Sequence, residues 1–164
     1  MVPWKAATKR EETEVLKGID PILNADVLSA LRAMGHGDDL VICDTNFPAD
    51  SVARQTVLGT LLRIDNVTAA RTVRAILSVL PLDSFVEKAA LRMEIVDKPL
   101  QLPPVQAEVQ REIDAAAGRS WPMGAIERFA FYDLARKAYC VIQTGERRFY
   151  GCFVLKKGVI PPDA

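Results

Sequence analysis

Hydrophobic positions along the chain fall into two patterns, helical stripes and short strand-length runs, and the two alternate. Behind Asn24, a suitable N-cap, Val27, Leu28, Leu31 and Met34 recur at helical spacing, and Gly35 follows as a residue suited to a left-handed cap. Leu40, Val41, Ile42 and Cys43 then form a nearly continuous apolar run, as expected of a strand buried on both faces, with Asp44 at its C-terminal end. The stretch 57–64 reads as a second strand, bulged at Gly59 and closed by Asp65-Asn66. A helix is predicted over 68–80, with Val73, Ile76, Leu77 and Leu80 as its apolar stripe, Arg71 and Arg74 facing outward, and Pro81 as its stop.

Residues 91–96 alternate as a strand does, and 98–104 is a proline-rich connector whose last proline suits a first helical position. Val105, Val109, Ile113 and Ala116 share one face of the helix that follows. Gly118 to Gly124 reads as a loop, and helical spacing returns over 126–136 through Phe131, Leu134 and Ala135. Two terminal strands, 139–144 and 149–155, flank Gly145-Glu146-Arg147-Arg148, a short glycine-containing connection that predicts a β-hairpin. The whole pattern predicts a single α/β domain over 17–164, with a mixed sheet, helices on its faces and a C-terminal β-hairpin. Residues 1–16 mix charges without an apolar core or a small-residue cleavage site, so they read as a polar extension and not as a secretory signal.

Length and charge narrow the function more than they define it. At 164 residues the chain suits one domain with a sizeable core. Its 21 basic residues balance 21 acidic ones, so nothing in the net charge favours nucleic acid or an acidic membrane surface. No apolar run approaches the roughly 18 residues of a membrane span. Cys43, Cys140 and Cys152 are odd in number and unpaired in spacing, which argues against a disulfide framework or a zinc site and suits a reducing cytoplasm.

The candidate chemistry centres on one residue. His36 is the single histidine and lies between two glycines at a helix-to-strand junction, one strand's length before Asp44. A histidine, titrating at about 6.5 in the absence of perturbation, moves protons at neutral pH better than any other side chain. Flanking glycines also let backbone approach a ligand, and ligands in open α/β sheets collect at the carboxyl ends of strands. The competing reading is a helix-terminal histidine with a favourable dipole contact, and for Asp44 a turn former at a strand end. No nucleophile-elbow, phosphate-loop or dinucleotide motif is present, and one histidine excludes a multi-histidine metal site within the chain. Cofactor-free proton transfer is the least constrained enzymatic reading.

Longer motifs sharpen it. Met34-Gly35-His36-Gly37-Asp38, then Val41-Ile42-Cys43-Asp44-Thr45-Asn46-Phe47-Pro48-Ala49, closely resembles the fucose mutarotase family. Arg128-Phe129-Ala130-Phe131-Tyr132, then 144–151 and 155–159, resembles the same family's C-terminal signature, with Leu80-Pro81-Leu82-Asp83 as a weaker middle match. The related ribose pyranase branch shares the histidine and the aspartate, but Asn46-Phe47-Pro48-Ala49 is similar to the fucose branch. The resemblance implies an α/β protein assembled into a homo-oligomeric ring, often decameric, with sugar sites near subunit contacts. It implies anomer or ring-form interconversion of a monosaccharide without a cofactor, His36 as proton donor, Asp44 and Arg128 as sugar-binding residues, and Tyr150 lining or assisting the site.

Mutarotation opens a cyclic hemiacetal and recloses it on the other face, so one group takes the anomeric hydroxyl proton while another protonates the ring oxygen. His36 suits both roles, and Arg128 offers several donors for orientation. Tyr150 can stack on a sugar or simply pack. Cys152 stands where the family usually has asparagine, which replaces an amide by a weak thiol and bears on which sugar fits. It also reads as a small buried residue. Two other functions stay open: a non-catalytic sugar-binding or sensing protein, and the same chemistry on another sugar. Arg147, Arg148, Lys156 and Lys157 near the terminal strands suggest either an anion site or a solvated, contact-making surface.

Overall fold

The computed structural model describes residues 15–164, so the expected extension over 1–16 lies almost wholly outside the described residues. The elements run α1 (Ala25–Ala33), β1 (Asp39–Cys43), α2 (Ala49–Ala53), β2 (Leu61–Ile64), α3 (Ala69–Leu77), β3 (Ala90–Met93), α4 (Pro104–Ala117), β4 (Gly124–Ile126), α5 (Arg128–Lys137), β5 (Cys140–Thr144) and β6 (Phe153–Lys156). Six strands form one sheet in the order β2-β5-β1-β6-β3-β4. Only β6 runs against its neighbours; β1 with β5, β2 with β5, and β3 with β4 are parallel pairs. Five strands therefore end on one rim, called here the carboxyl rim, and start on the opposite amino rim.

Alternation along β1 divides the core. Leu40 and Ile42 join Val27 and Leu31 of α1, Val73 and Ile76 of α3, and Val109 and Ile113 of α4 on one face. Val41 and Cys43 join Val52 of α2 and Phe131 and Ala135 of α5 on the other. The two-sided apolar run predicted for residues 40–43 is the centre of the sheet, fully buried. Local chemistry sets the helix ends: Asn24 and Thr68 accept from Val27 N and Arg71 N, and Gly118 closes α4 with a left-handed φ of 64°. Among the described residues no helix is long and apolar enough to cross a membrane.

Four expectations need correcting. The terminal strands do not form a hairpin, because β1 lies between them: β5 pairs with β1 on one side and β6 pairs with β1 on the other. Residues 145–152 therefore bridge the end of β1. The second strand is shorter than 57–64: Val57 N and Leu58 N bond to Ala138 O and Tyr139 O in a turn, and Gly59 adopts a φ of 75° ahead of β2. The loop over 118–124 ends in the short edge strand β4, and α2 was not expected. Gly35 does not hold the left-handed cap; α1 ends at Met34, and Gly37 takes the positive φ of 84°.

Candidate active site

Asp44 leaves the carboxyl end of β1 almost fully buried, and both of its carboxylate oxygens are engaged. Oδ1 accepts from Asn46 N at 2.9 Å and Phe47 N at 3.0 Å, which turns the chain into Pro48 and α2. Oδ2 accepts from Gly151 N at 3.1 Å and faces Cys152 Sγ at 3.6 Å, which ties the start of β6 to the end of β1. A Cβ at Gly151 would meet Glu146 Cγ at 2.8 Å and Asp44 Cβ at 3.3 Å, so this junction needs glycine. Cys152 lies beneath it, 2% exposed, and burial pushes its thiol pKa well up. Burial thus favours the neutral thiol against Asp44 over a thiolate.

Tyr150 and Arg128 lie on the same rim. Tyr150 adopts a φ of +62°, its hydroxyl accepts from Val96 N at 3.4 Å, and its carbonyl accepts from Gln106 Nε2 at 3.0 Å. Arg128, the first residue of α5, donates from Nε to the Tyr132 hydroxyl at 3.2 Å. That bond comes first in holding its pKa above the ordinary guanidinium value, with the Tyr150 phenol also within electrostatic reach. Arg128 borders a small cavity with Glu94, Val96 and Glu127. Asp44, Cys152, Tyr150 and Arg128 are thus gathered on one rim.

His36 is not among them. It sits before β1 on the amino rim, where its side chain is 46% exposed and its Nε2 lies 3.1 Å from Oδ1 of the buried Asp83. Asp83 also accepts from Phe85 N at 3.0 Å. That amide, and then the His36 ring, hold the Asp83 carboxyl below the usual carboxylate range. Phe85 meets the imidazole edge-on at 5.4 Å between ring centroids. His36 borders an open apolar groove of about 610 Å³ with Leu28, Leu31, Val79, Val159 and Ile160. Four strand steps, about 13 Å, separate the two ends of β1. One chain does not bring His36 to Asp44; the sequence leaves the nearness of His36 to the carboxyl rim open, and the structure places it on the opposite one.

Sequence reasoning missed Asp83 as the histidine's partner, although Leu80-Pro81-Leu82-Asp83 carried a weak signal, and it missed Tyr132 beside Arg128. It also missed Glu146, which accepts from Ala69 N at 3.3 Å and from Arg148 N at 3.0 Å, and pairs with the Arg148 guanidinium at 2.9 Å. The Arg148 side chain leads in holding the Glu146 carboxyl down to about 2. The basic cluster disperses. Arg148 is shared by Glu146 and Glu108, Lys156 pairs with Asp39 at 2.8 Å, and Lys157 donates to Met34 O. No single anion site joins these three cations.

This fold and these motifs have relatives. Residues 17–160 match the model of the RbsD / FucU transport protein family. The fucose mutarotase of Danio rerio is 41% identical over 91% of this chain and 97% of its own length. A solved chain at 68% identity, covering 91% of this chain and 99% of its own, superimposes with a TM-score of 0.89. The fucose mutarotase of Streptococcus pneumoniae, solved in complex with L-fucose, is 32% identical with a TM-score of 0.79, over 89% of this chain and 100% of that one. The chain belongs to the RbsD / FucU family.

Proposed function

We propose that the protein is a sugar mutarotase that interconverts the α and β anomers of L-fucose by cofactor-independent proton transfer. The relatives named fucose mutarotase support the reaction class, an isomerisation, and the fucose-bound neighbour supports a monosaccharide ligand. The observation that carries the reading is the His36–Asp83 pair: a half-exposed imidazole held at 3.1 Å by a buried carboxylate at the edge of an open groove. With Nε2 on Asp83, Nδ1 is the nitrogen left for substrate. His36 takes the anomeric hydroxyl proton and returns it after the open-chain aldehyde has rotated, while Tyr150 or a water exchanges the proton at the ring oxygen. Arg128 and Tyr150 hold the sugar hydroxyls, and Asp44 with Cys152 shapes the floor beneath Tyr150.

The two rims imply where this happens. A site using both His36 and Tyr150 forms between copies, with the amino rim of one chain against the carboxyl rim of the next. Each rim exposes aromatic surface for such a contact, Phe85 at 73% on the first and Phe129 at 67% and Phe149 at 73% on the second. Repeated head-to-tail contact closes into a homo-oligomeric ring, and a decamer is one such closed assembly. Three free, buried cysteines are compatible with a reducing cytoplasm.

Saturation-transfer NMR of L-fucose, D-ribose, L-rhamnose and D-galactose tests the proposal, with His36→Ala as control. Enzyme-dependent fucose anomer exchange that vanishes in the control is the expected result. Exchange confined to another sugar would make Cys152 the mark of a changed specificity, and binding without exchange would make the protein a sugar sensor.

A further inference from the structure

Tyr150, at a φ of +62°, occupies a left-handed backbone region that bulky L-residues rarely adopt. Such a conformation persists only when its surroundings over-determine it. Its own side chain packs at the edge of the core layer of α2 and α5 and makes one hydrogen bond, the long contact to Val96 N at 3.4 Å. The firmer restraint comes from Gln106 in the first turn of α4, a side chain with no exposed surface.

Gln106 Nε2 donates to Met93 O at 2.7 Å and to Tyr150 O at 3.0 Å. Its Oε1 accepts from Arg92 Nη1 at 3.2 Å. Arg92, 8% exposed, also donates to Pro99 O at 2.9 Å. A guanidinium has only donors, so Arg92 fixes the amide with its oxygen toward the guanidinium and its two N–H groups toward the Met93 and Tyr150 carbonyls. The neighbours Val105 and Val109 pack as ordinary core. Position 106 alone on this turn carries a buried polar group, and its hydrogen bonds reach the residue whose backbone is strained.

We infer that Gln106 is a positioning residue for Tyr150: it clamps the Tyr150 carbonyl, keeps that backbone left-handed and so holds the phenol on the carboxyl rim beside Arg128, with Arg92 setting which way the amide faces. The catalytic consequence rests on the reading of Tyr150 as part of the mutarotase site; the conformational consequence does not.

Gln106→Glu isolates the clamp. The carboxylate keeps the shape and the oxygen facing Arg92, but turns an acceptor toward the Met93 and Tyr150 carbonyls. Gln106→Met removes the clamp without a charge. The protein is labelled with 3-fluorotyrosine, which reports Tyr132, Tyr139 and Tyr150 as separate fluorine resonances, Tyr150 being identified by its loss in Tyr150→Phe. In both variants the Tyr150 resonance shifts or splits while the other two stay, and kcat for anomer exchange falls about 10- to 100-fold, the scale expected of a misplaced catalytic group. An unmoved Tyr150 resonance overturns the inference. So does displacement of all three resonances together, which is general loosening; a moved Tyr150 with unchanged exchange overturns the catalytic consequence. If the unmodified protein exchanges no fucose anomers, the functional reading fails while the fluorine spectra still decide whether Gln106 positions Tyr150.

Discussion

His36 and Asp44 stand at opposite ends of one five-residue strand, β1, the first paired with Asp83 on the amino rim and the second with the amide of Gly151 on the carboxyl rim. Two residues eight apart in sequence therefore serve different ends of the sheet. If they serve one sugar, they do so from different chains.

Subunit mixing tests this directly. His36→Ala and Tyr150→Ala chains, each expected to be impaired alone, are expected to regain exchange when denatured together and refolded at equal amounts. Random head-to-tail assembly leaves about a quarter of the contacts with both groups intact, so the mixture recovers about a quarter of the unmodified activity. No recovery, with mixed oligomers verified by mass spectrometry, would place the whole site within one chain.

Asp83→Asn tests the hold on the imidazole. The variant keeps the size and an oxygen for Phe85 N, but removes the charge that orients His36 and stabilises it when protonated. Anomer exchange is expected to fall by about 10- to 100-fold, by analogy with removal of a carboxylate behind a working histidine. The measurement is kcat by exchange NMR, with melting temperature recorded to show that the fold survives.

Glu146 predicts an acid limb of stability. Its folded pKa, about 2, lies below the reference of 4.5. The carboxylate's contribution is thus fully present above pH 4.5 and is lost as the pH falls toward about 2. Urea unfolding of the unmodified protein and of Glu146→Gln should show a stability gap that is constant above pH 5 and narrows as the medium is acidified. A gap that widens in acid would reverse the sign of the assignment.

Thiol chemistry provides a test of burial at the floor of the site. Cys43, Cys140 and Cys152 are all buried, and burial raises the pKa of each, that of Cys140 to about 12. A disulfide reagent at neutral pH is expected to leave the native protein unlabelled and to titrate three thiols once the protein is unfolded. Rapid native labelling of Cys152 would mean that Asp44 and Gly151 do not seal it.

Much of the architecture is legible in the sequence because it is set locally. Apolar residues at 40–43 on both faces define a central strand, Asn24 and Thr68 start their helices with their own side chains, and Gly118 stops α4 because a left-handed residue is needed there. The motifs around His36, Asp44, Arg128 and Tyr150 likewise mark the candidate site without coordinates. What periodicity does not encode is which strands become neighbours. A glycine-containing connection between two apolar runs looks like a hairpin, yet β1, about a hundred residues earlier in the chain, takes the place between β5 and β6 because its two apolar faces need both core layers. That long-range insertion brings Gly151 and Cys152 against Asp44, and the same fold pairs His36 with Asp83 and brings Gln106 to the Tyr150 carbonyl. The sequence by itself determined which residues are candidates to move a proton and hold a sugar. Only the tertiary structure decided that they lie on two opposite rims, since strand order and side-chain partners depend on burial between segments far apart in the chain.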